Sequence, residues 1–223
     1  MSQRPLWKRV WYKSVQWGAQ LAVVLLYHVR YFGIRNIPTE GGVLVVSNHQ
    51  SHWDPPLVGM ASRRRMNYLA RQSLFRFAPF VWLINSLDAI ALDREGIGLA
   101  GIKESLKRLK RGEMVVIFPE GTRTRDGEIG PFLPGFTTLA VRAKAAILPV
   151  AIEGAFAAWP RWRKLPRPGT IHVCYGPPLM PAEIAGMDER ALLAEVERRV
   201  RQCQAELRRH PRFRAKHLFA RGG

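Results

Sequence analysis

Residues 43–56 read VLVVSNHQSHWDPP. Val43-Leu44-Val45-Val46 is a short, apolar, largely β-branched run bounded by Gly41-Gly42, the pattern of a strand buried on both faces. It runs straight into Asn48, His49, Gln50, Ser51, His52 and Asp54. A polar cluster where a buried strand stops is the place where open α/β sheets hold their chemistry. Asp54-Pro55 then predicts a helix start, with Asp as the cap and proline at the first helical position.

Outward from this stretch, apolar runs and helical patterns alternate. Strands are predicted over 43–47, 66–70, 88–92, 114–118, 147–152 and 170–175. Leu99, Ile102, Leu106 and Leu109 recur at helical spacing, with basic residues towards the helix end and Gly112 as its stop. Phe136, Leu139, Ala140 and Ala143 mark a second helix, and Leu192, Val196, Val200, Cys203 and Leu207 a third. The expected fold is α/β, a mixed, largely parallel sheet flanked by helices. With 223 residues, 47% of them hydrophobic, the chain can build one sizeable domain, taken as 36–223, behind an N-terminal segment, 1–35.

That N-terminal segment leans towards a membrane. Lys8, Arg9 and Lys13 precede residues 14–29, which hold no Lys, Arg, Asp or Glu. As a helix its roughly 16 residues reach about 24 Å, short of a hydrocarbon core of roughly 30 Å, so an interfacial helix fits better than a span. Trp7, Trp11, Tyr12, Trp17, Tyr27 and Tyr31 suit a headgroup boundary. No small-residue cleavage site follows, which argues against a signal peptide; the bland alternative is a core helix. The net charge of +18, from 35 Lys+Arg against 17 Asp+Glu, calls for an anionic partner. An anionic membrane surface explains the apolar segment as well, and nucleic acid does not; no nucleic-acid-binding signature is present. Arg63-Arg64-Arg65 and the tail 208–221 read as exposed, solvated charge, with contact to lipid headgroups the alternative. Cys174 and Cys203 are too few for a disulfide framework and match a reducing compartment.

Three strands end in polar sequence: the first at Asn48-His49, that over 88–92 at Asp93-Arg94, and that over 114–118 at Pro119-Glu120-Gly121-Thr122-Arg123. If parallel, they bring a base and two arginines to one edge of the sheet, a set suited to proton abstraction beside a bound anion.

His49-x-x-x-x-Asp54 within NHQSHWD, followed by FPEGTRT at 118–124, strongly resembles the membrane-associated glycerolipid acyltransferases that include the 1-acylglycerol-3-phosphate acyltransferases. The resemblance runs from about Asn36 to Gly176. Arg94 falls on the arginine of the family's second block, and Ile147-Leu148-Pro149-Val150 is similar to its proline-centred fourth. It implies transfer of a fatty acyl chain from acyl-CoA or acyl carrier protein, as donor substrate rather than cofactor, to a lysolipid hydroxyl, with 1-acylglycerol-3-phosphate the leading acceptor. It further implies a peripheral or monotopic protein on the cytoplasmic face of a membrane, in phospholipid biosynthesis.

A thioester is already activated, so no Ser or Cys nucleophile is needed; a base must deprotonate the acceptor. His49 is the expected base, with His52 the alternative, and Asp54 the carboxylate that fixes its tautomer. The resemblance implies that Arg94, Glu120, Gly121, Thr122, Arg123 and Pro149 bind substrate. Leu133 stands where the family often carries a lysine near the acceptor phosphate, which leaves a lysolipid with another headgroup as an alternative acceptor. A catalytically idle membrane-binding protein of the same fold is the rival of another class. Gly96-Ile97-Gly98-Leu99-Ala100-Gly101 matches a dinucleotide fingerprint, but Asp93-Arg94-Glu95 separates it from its strand. His49, His52 and Asp54 lack a later metal-ligand set.

Overall fold

The computed structural model describes residues 27–71, 90–92, 99–163 and 165–210, together with Trp7, Val10, Trp11, Ser14 and Leu21. Its strands are β1 (Tyr27–Phe32), β2 (Val43–Ser47), β3 (Met66–Arg71), β4 (Ile90–Leu92), β5 (Met114–Ile117), β6 (Ala146–Glu153) and β7 (Gly169–Tyr175). Its helices are α1 (Asp54–Met60), α2 (Leu99–Lys110), α3 (Phe136–Ala143), α4 (Ala155–Ala158), α5 (Pro181–Ala185) and α6 (Glu189–Arg209). The strands form one sheet in the order β1-β7-β6-β2-β5-β3-β4. β2 to β6 are mutually parallel, whereas β7 lies antiparallel to β6 and carries β1 parallel to itself.

The uninterrupted apolar runs follow from helices on both faces. Leu44, Val46, Val115, Ile117 and Ile147 join the core under α3 and α6, while Val43, Val45, Met114, Val116 and Leu148 join the core that holds Leu57 and Val58 of α1. Successive side chains of a strand point to opposite faces, so both parities must be apolar. α6 buries Leu192, Val196, Val200, Cys203 and Leu207, the stripe predicted from their spacing, and Asp188 caps it by accepting from Ala191 N at 2.7 Å.

Two expectations change here. Residues 27–29, expected as the end of an apolar helix, are extended instead: Tyr27–Phe32 is an edge strand in register with β7, Tyr27 opposite Gly169 and Phe32 opposite Cys174. Aromatic and β-branched residues favour that half-buried surface, and the strand covers an edge of β7 that would otherwise offer unpaired backbone. The sheet therefore begins upstream of the boundary placed at 35. The second change concerns Arg64, expected as part of a solvated patch. Its guanidinium donates to four carbonyls, Pro38 O at 2.8 Å, Glu40 O at 3.2 Å, and Gly41 O and Gly112 O each at 2.6 Å. It ties together the turns that feed β2 and β5. The tail beyond 210 and residues 93–98, which hold Arg94 and the start of the Gly96–Gly101 pattern, lie outside the described residues.

Pro149 sits within β6, opposite Val46. Ala146 N donates to Gly42 O towards β2, and Ile147 N to Leu179 O on the other side. By that alternation the Pro149 nitrogen faces the segment after β7, where β7 pairing has already stopped at Tyr175. The missing N–H therefore costs no ladder bond.

Arg64→Ala is expected to lower unfolding free energy by about 2 kcal/mol, the scale of hydrogen bonds from a charged donor discounted for partial exposure. Chemical denaturation would read this. Activity per folded molecule should be unchanged, and Arg64→Lys should restore only part of the loss because ammonium lacks the planar fork.

Candidate active site

β2, β5 and β6 end at one edge of the sheet, and the loops after β2 and β5 meet there. Asn48 continues the ladder with its side chain: Nδ2 donates to Ile152 O at 2.9 Å, and Oδ1 accepts from Ile152 N at 2.8 Å. The backbone leaves the sheet while a surrogate peptide group stays in it. His49 follows at once, and the loop after β5 grips its backbone on both sides. His49 N donates to Glu120 Oε1 at 2.7 Å, and His49 O accepts from Thr124 N at 2.8 Å. The imidazole stacks on Phe118, centroids 4.2 Å apart and planes 21° from parallel.

Asp54 completes the arrangement. Its Oδ2 lies 2.7 Å from His49 Nδ1 and accepts from Gln50 N at 2.5 Å and Ser51 N at 2.7 Å. Its side chain is fully buried, and an ion so placed must be held by several donors. The expected capping role is not what this carboxylate does: α1 begins at Asp54 itself, with Trp53 in the cap position and no side-chain cap bond. With Nδ1 committed to Asp54 as donor, Nε2 of the neutral ring carries the free lone pair, the atom a general base needs.

The other predicted residues fall into distinct places. Glu120 spends both carboxylate oxygens on backbone amides, Oε1 on His49 N and Oε2 on Gly130 N at 2.9 Å. Burial raises its pKa, opposed by those two amide bonds. This positions the base rather than reaching outward. Gly121 turns with φ of 66°, and Thr122 is exposed beside it. A Cβ built on Gly121 would meet Leu133 Cδ1 at 3.0 Å, and Leu133 N donates to Pro119 O at 3.0 Å, so position 133 borders the turn. The Arg123 guanidinium donates to His52 Nε2, and His52 packs on Trp159 with centroids 4.9 Å apart. Partial burial first, then the Arg123 charge, lowers the His52 pKa. The structure thus separates the two histidines, His49 on the carboxylate and His52 on the arginine. Pro149 is buried in β6, and Arg94 lies outside the described residues. Among the described residues no group of three His, Cys, Asp or Glu side chains is gathered as a metal site.

Sequence reasoning placed Gln50 and Ser51 in a polar loop but gave them no task. Gln50 bridges Gly127 O (2.9 Å) and Phe156 N (3.3 Å), and Ser51 Oγ donates to Trp159 O at 2.8 Å. The only signal was polarity at a strand end.

Glu120→Ala would leave two amides without their acceptor and let the base loop drift. A fall in kcat of at least about tenfold is expected with a smaller change in KM, the signature of lost positioning, together with about 1–3 kcal/mol of stability. Steady-state kinetics and urea denaturation on one preparation would separate the two effects.

Comparison with known proteins agrees with this geometry. The sequence profile of the family described as Acyltransferase matches residues 28–153. The chain is 36% identical over 193 residues to a 1-acyl-sn-glycerol-3-phosphate acyltransferase of Pseudomonas aeruginosa, covering 81% of this chain and 72% of that one. It is 29% identical over 180 residues to the Bacillus subtilis protein of the same name, covering 80% and 87%. The crystal structure of the 1-acyl-sn-glycerophosphate (LPA) acyltransferase PlsC from Thermotoga maritima superposes with a TM-score of 0.79 at 28% identity, covering 94% of this chain and 85% of that one. The chain is an acyltransferase and belongs to the 1-acylglycerol-3-phosphate acyltransferase family of glycerolipid acyltransferases.

Proposed function

We propose that this enzyme transfers a fatty acyl group from acyl-CoA or acyl carrier protein to the free hydroxyl of 1-acylglycerol-3-phosphate at a membrane surface. The observation that carries the reading is the 2.7 Å contact of His49 Nδ1 with buried Asp54, which leaves Nε2 as acceptor for the hydroxyl proton. As that proton moves to Nε2, the acceptor oxygen attacks the thioester carbonyl. The C–S bond then breaks, and the imidazolium returns its proton to the departing thiolate. Asp54 stabilises the imidazolium without taking its proton.

Arg123 supplies the cation for the acceptor phosphate, oriented by His52, and Arg94 is assigned the same task from its place in sequence. Gly121 and Thr122 shape the turn beside them. Glu120 serves acceptor binding indirectly, by fixing the loop, and Pro149 supports the β2 end through its place opposite Val46. Attachment to an anionic membrane falls to the N-terminal segment: Trp7, Val10 and Leu21 are helical and 62%, 57% and 61% exposed. No helix among the described residues is long and apolar enough to cross a membrane, which agrees with a peripheral or monotopic arrangement, proposed here on the cytoplasmic face.

His49→Ala should cut turnover by about 10²–10⁴-fold with thermal stability nearly unchanged. His52→Ala should act mainly on acceptor KM. Because its pKa is lowered, His52 stays neutral at pH 7 and accepts from Arg123; acidification protonates it, sets two cations face to face and should raise acceptor KM. That rise should vanish in His52→Ala, and a kcat collapse equal to that of His49→Ala would reverse the assignment of the base.

Leu133→Lys places a cation beside the Gly121 turn and should lower KM for lysophosphatidate about threefold or more, if that is the acceptor held there. If the natural acceptor has a less anionic headgroup, the same change should impair its use while improving lysophosphatidate. Kinetics against a panel of lysolipids decides between them.

A further inference from the structure

We propose that residues 159–163 and 165–167 form a docking surface that seats the mouth of the active site on an anionic lipid surface; the inference rests on the lipid-acceptor reading above. The loop presents large apolar side chains to water. Leu165 is 75% exposed, the most of any large apolar residue described, and Trp162 is 60% exposed. Isolated exposed apolar residues are ordinary. These two are accompanied by Arg161 and Arg167, both exposed, and Arg163, and no Asp or Glu occurs between Glu153 and Glu183. Tryptophan and leucine among arginines suit an anionic headgroup boundary, where the ring and aliphatic chain enter the acyl region and the guanidinium groups stay with the phosphates. An acidic protein partner would account for the arginines and leave Trp162 and Leu165 unexplained.

The loop is already shaped for this. Arg163 N donates to Pro160 O at 3.1 Å, Arg167 N to Ala158 O at 2.8 Å, and Trp159 Nε1 to Arg163 O at 2.9 Å. Trp162 sets its edge against Phe156, with centroids 5.3 Å apart. These contacts reduce the freedom that Trp159, Trp162, Arg163 and Arg167 would lose on docking. Its root is the wall of the catalytic loop: Trp159 packs on His52 and on Trp53 (centroids 5.4 Å), and its carbonyl accepts from Ser51 Oγ. A membrane engaged by Trp162 and Leu165 would therefore lie next to Arg123 and His49, so that an acceptor enters from the bilayer without crossing water.

The test uses the full chain with Leu165→Cys carrying an environment-sensitive dye; the native Cys174 and Cys203 are buried. Vesicles of equal phosphatidylglycerol and phosphatidylcholine should shift the dye emission to the blue, and pure phosphatidylcholine vesicles should do so far less. The same dye on Lys110→Cys, at the end of α2, should stay water-like. The double variant W162A/L165S should raise KM for vesicle-embedded lysophosphatidate about fivefold or more, with turnover of a monomeric short-chain lysophosphatidate unchanged. A dye at 165 that stays in water while the protein sediments with vesicles overturns the proposal. So does one that responds to acyl carrier protein and not to lipid. If the dye enters lipid but the wild-type chain acylates no lysolipid in either form, the acceptor reading fails and the docking loop stands.

Discussion

A single buried oxygen, Oδ2 of Asp54, takes the His49 Nδ1 contact and two amide hydrogen bonds within six residues of chain. A carboxylate removed from water is tolerated only when donors converge on it. Satisfying it forces Gln50 N and Ser51 N to point inward, and this folds 49–54 into a tight loop rather than a longer strand or an earlier helix. The spacing of His49 and Asp54 is the length of chain needed to bring imidazole and carboxylate together around those two amides. Aiming the base and satisfying Oδ2 are thus one arrangement.

That arrangement would be useless on a mobile loop, and its anchoring explains why two distant motifs act together. The parallel pairing of β2 with β5, Val46 opposite Ile117, delivers Asn48 and Phe118 to the same edge. Glu120 and Thr124 then hold the two backbone polar groups of His49, while Asn48 locks the strand end to β6. Each bond replaces one that water would otherwise make, so individual contributions are modest. Their effect is geometric: a base fixed at backbone N, backbone O and ring Nδ1 has little freedom left but to present Nε2 outward.

The parts legible in sequence were those that repeat a period or crowd a type. β2 to β7, the start of α1, the helices α2, α3 and α6, and the His49–Asp54 pair all came from apolar spacing or from a motif. β1 was hidden because Tyr27-His28-Val29 continues an apolar stretch, and only its partner β7, far along the chain, makes it a strand; non-local pairing leaves no local mark. Arg64 was hidden for a similar reason, since an arginine that collects carbonyls from Pro38 to Gly112 is indistinguishable in sequence from its neighbours Arg63 and Arg65. Glu120 was recognised, but its direction was not. A carboxylate in a loop beside an arginine reads as solvent-facing, and the amides it serves become visible only once the loops are packed.

The same packing bears on covalent against direct transfer. Ser47 and Ser51 flank the base in sequence, yet Ser47 Oγ donates to Asn48 O at 3.1 Å and Ser51 Oγ to Trp159 O, so neither hydroxyl is presented to Nε2. Cys174 and Cys203 lie in the core between β7 and α6; contact with Cys174 and burial push the Cys203 thiol well above the ordinary range. A buried thiol of that kind is a poor nucleophile. Among the described serines and cysteines, then, none stands where an acyl-enzyme would form next to His49. That arrangement fits direct transfer within one ternary complex, the reading proposed above, in which the hydroxyl proton passes to Nε2 as the carbon–oxygen bond forms. Direct transfer would set two substrates against one fixed base and depend on alignment more than on any intermediate, and a loop held as this one is supplies that alignment.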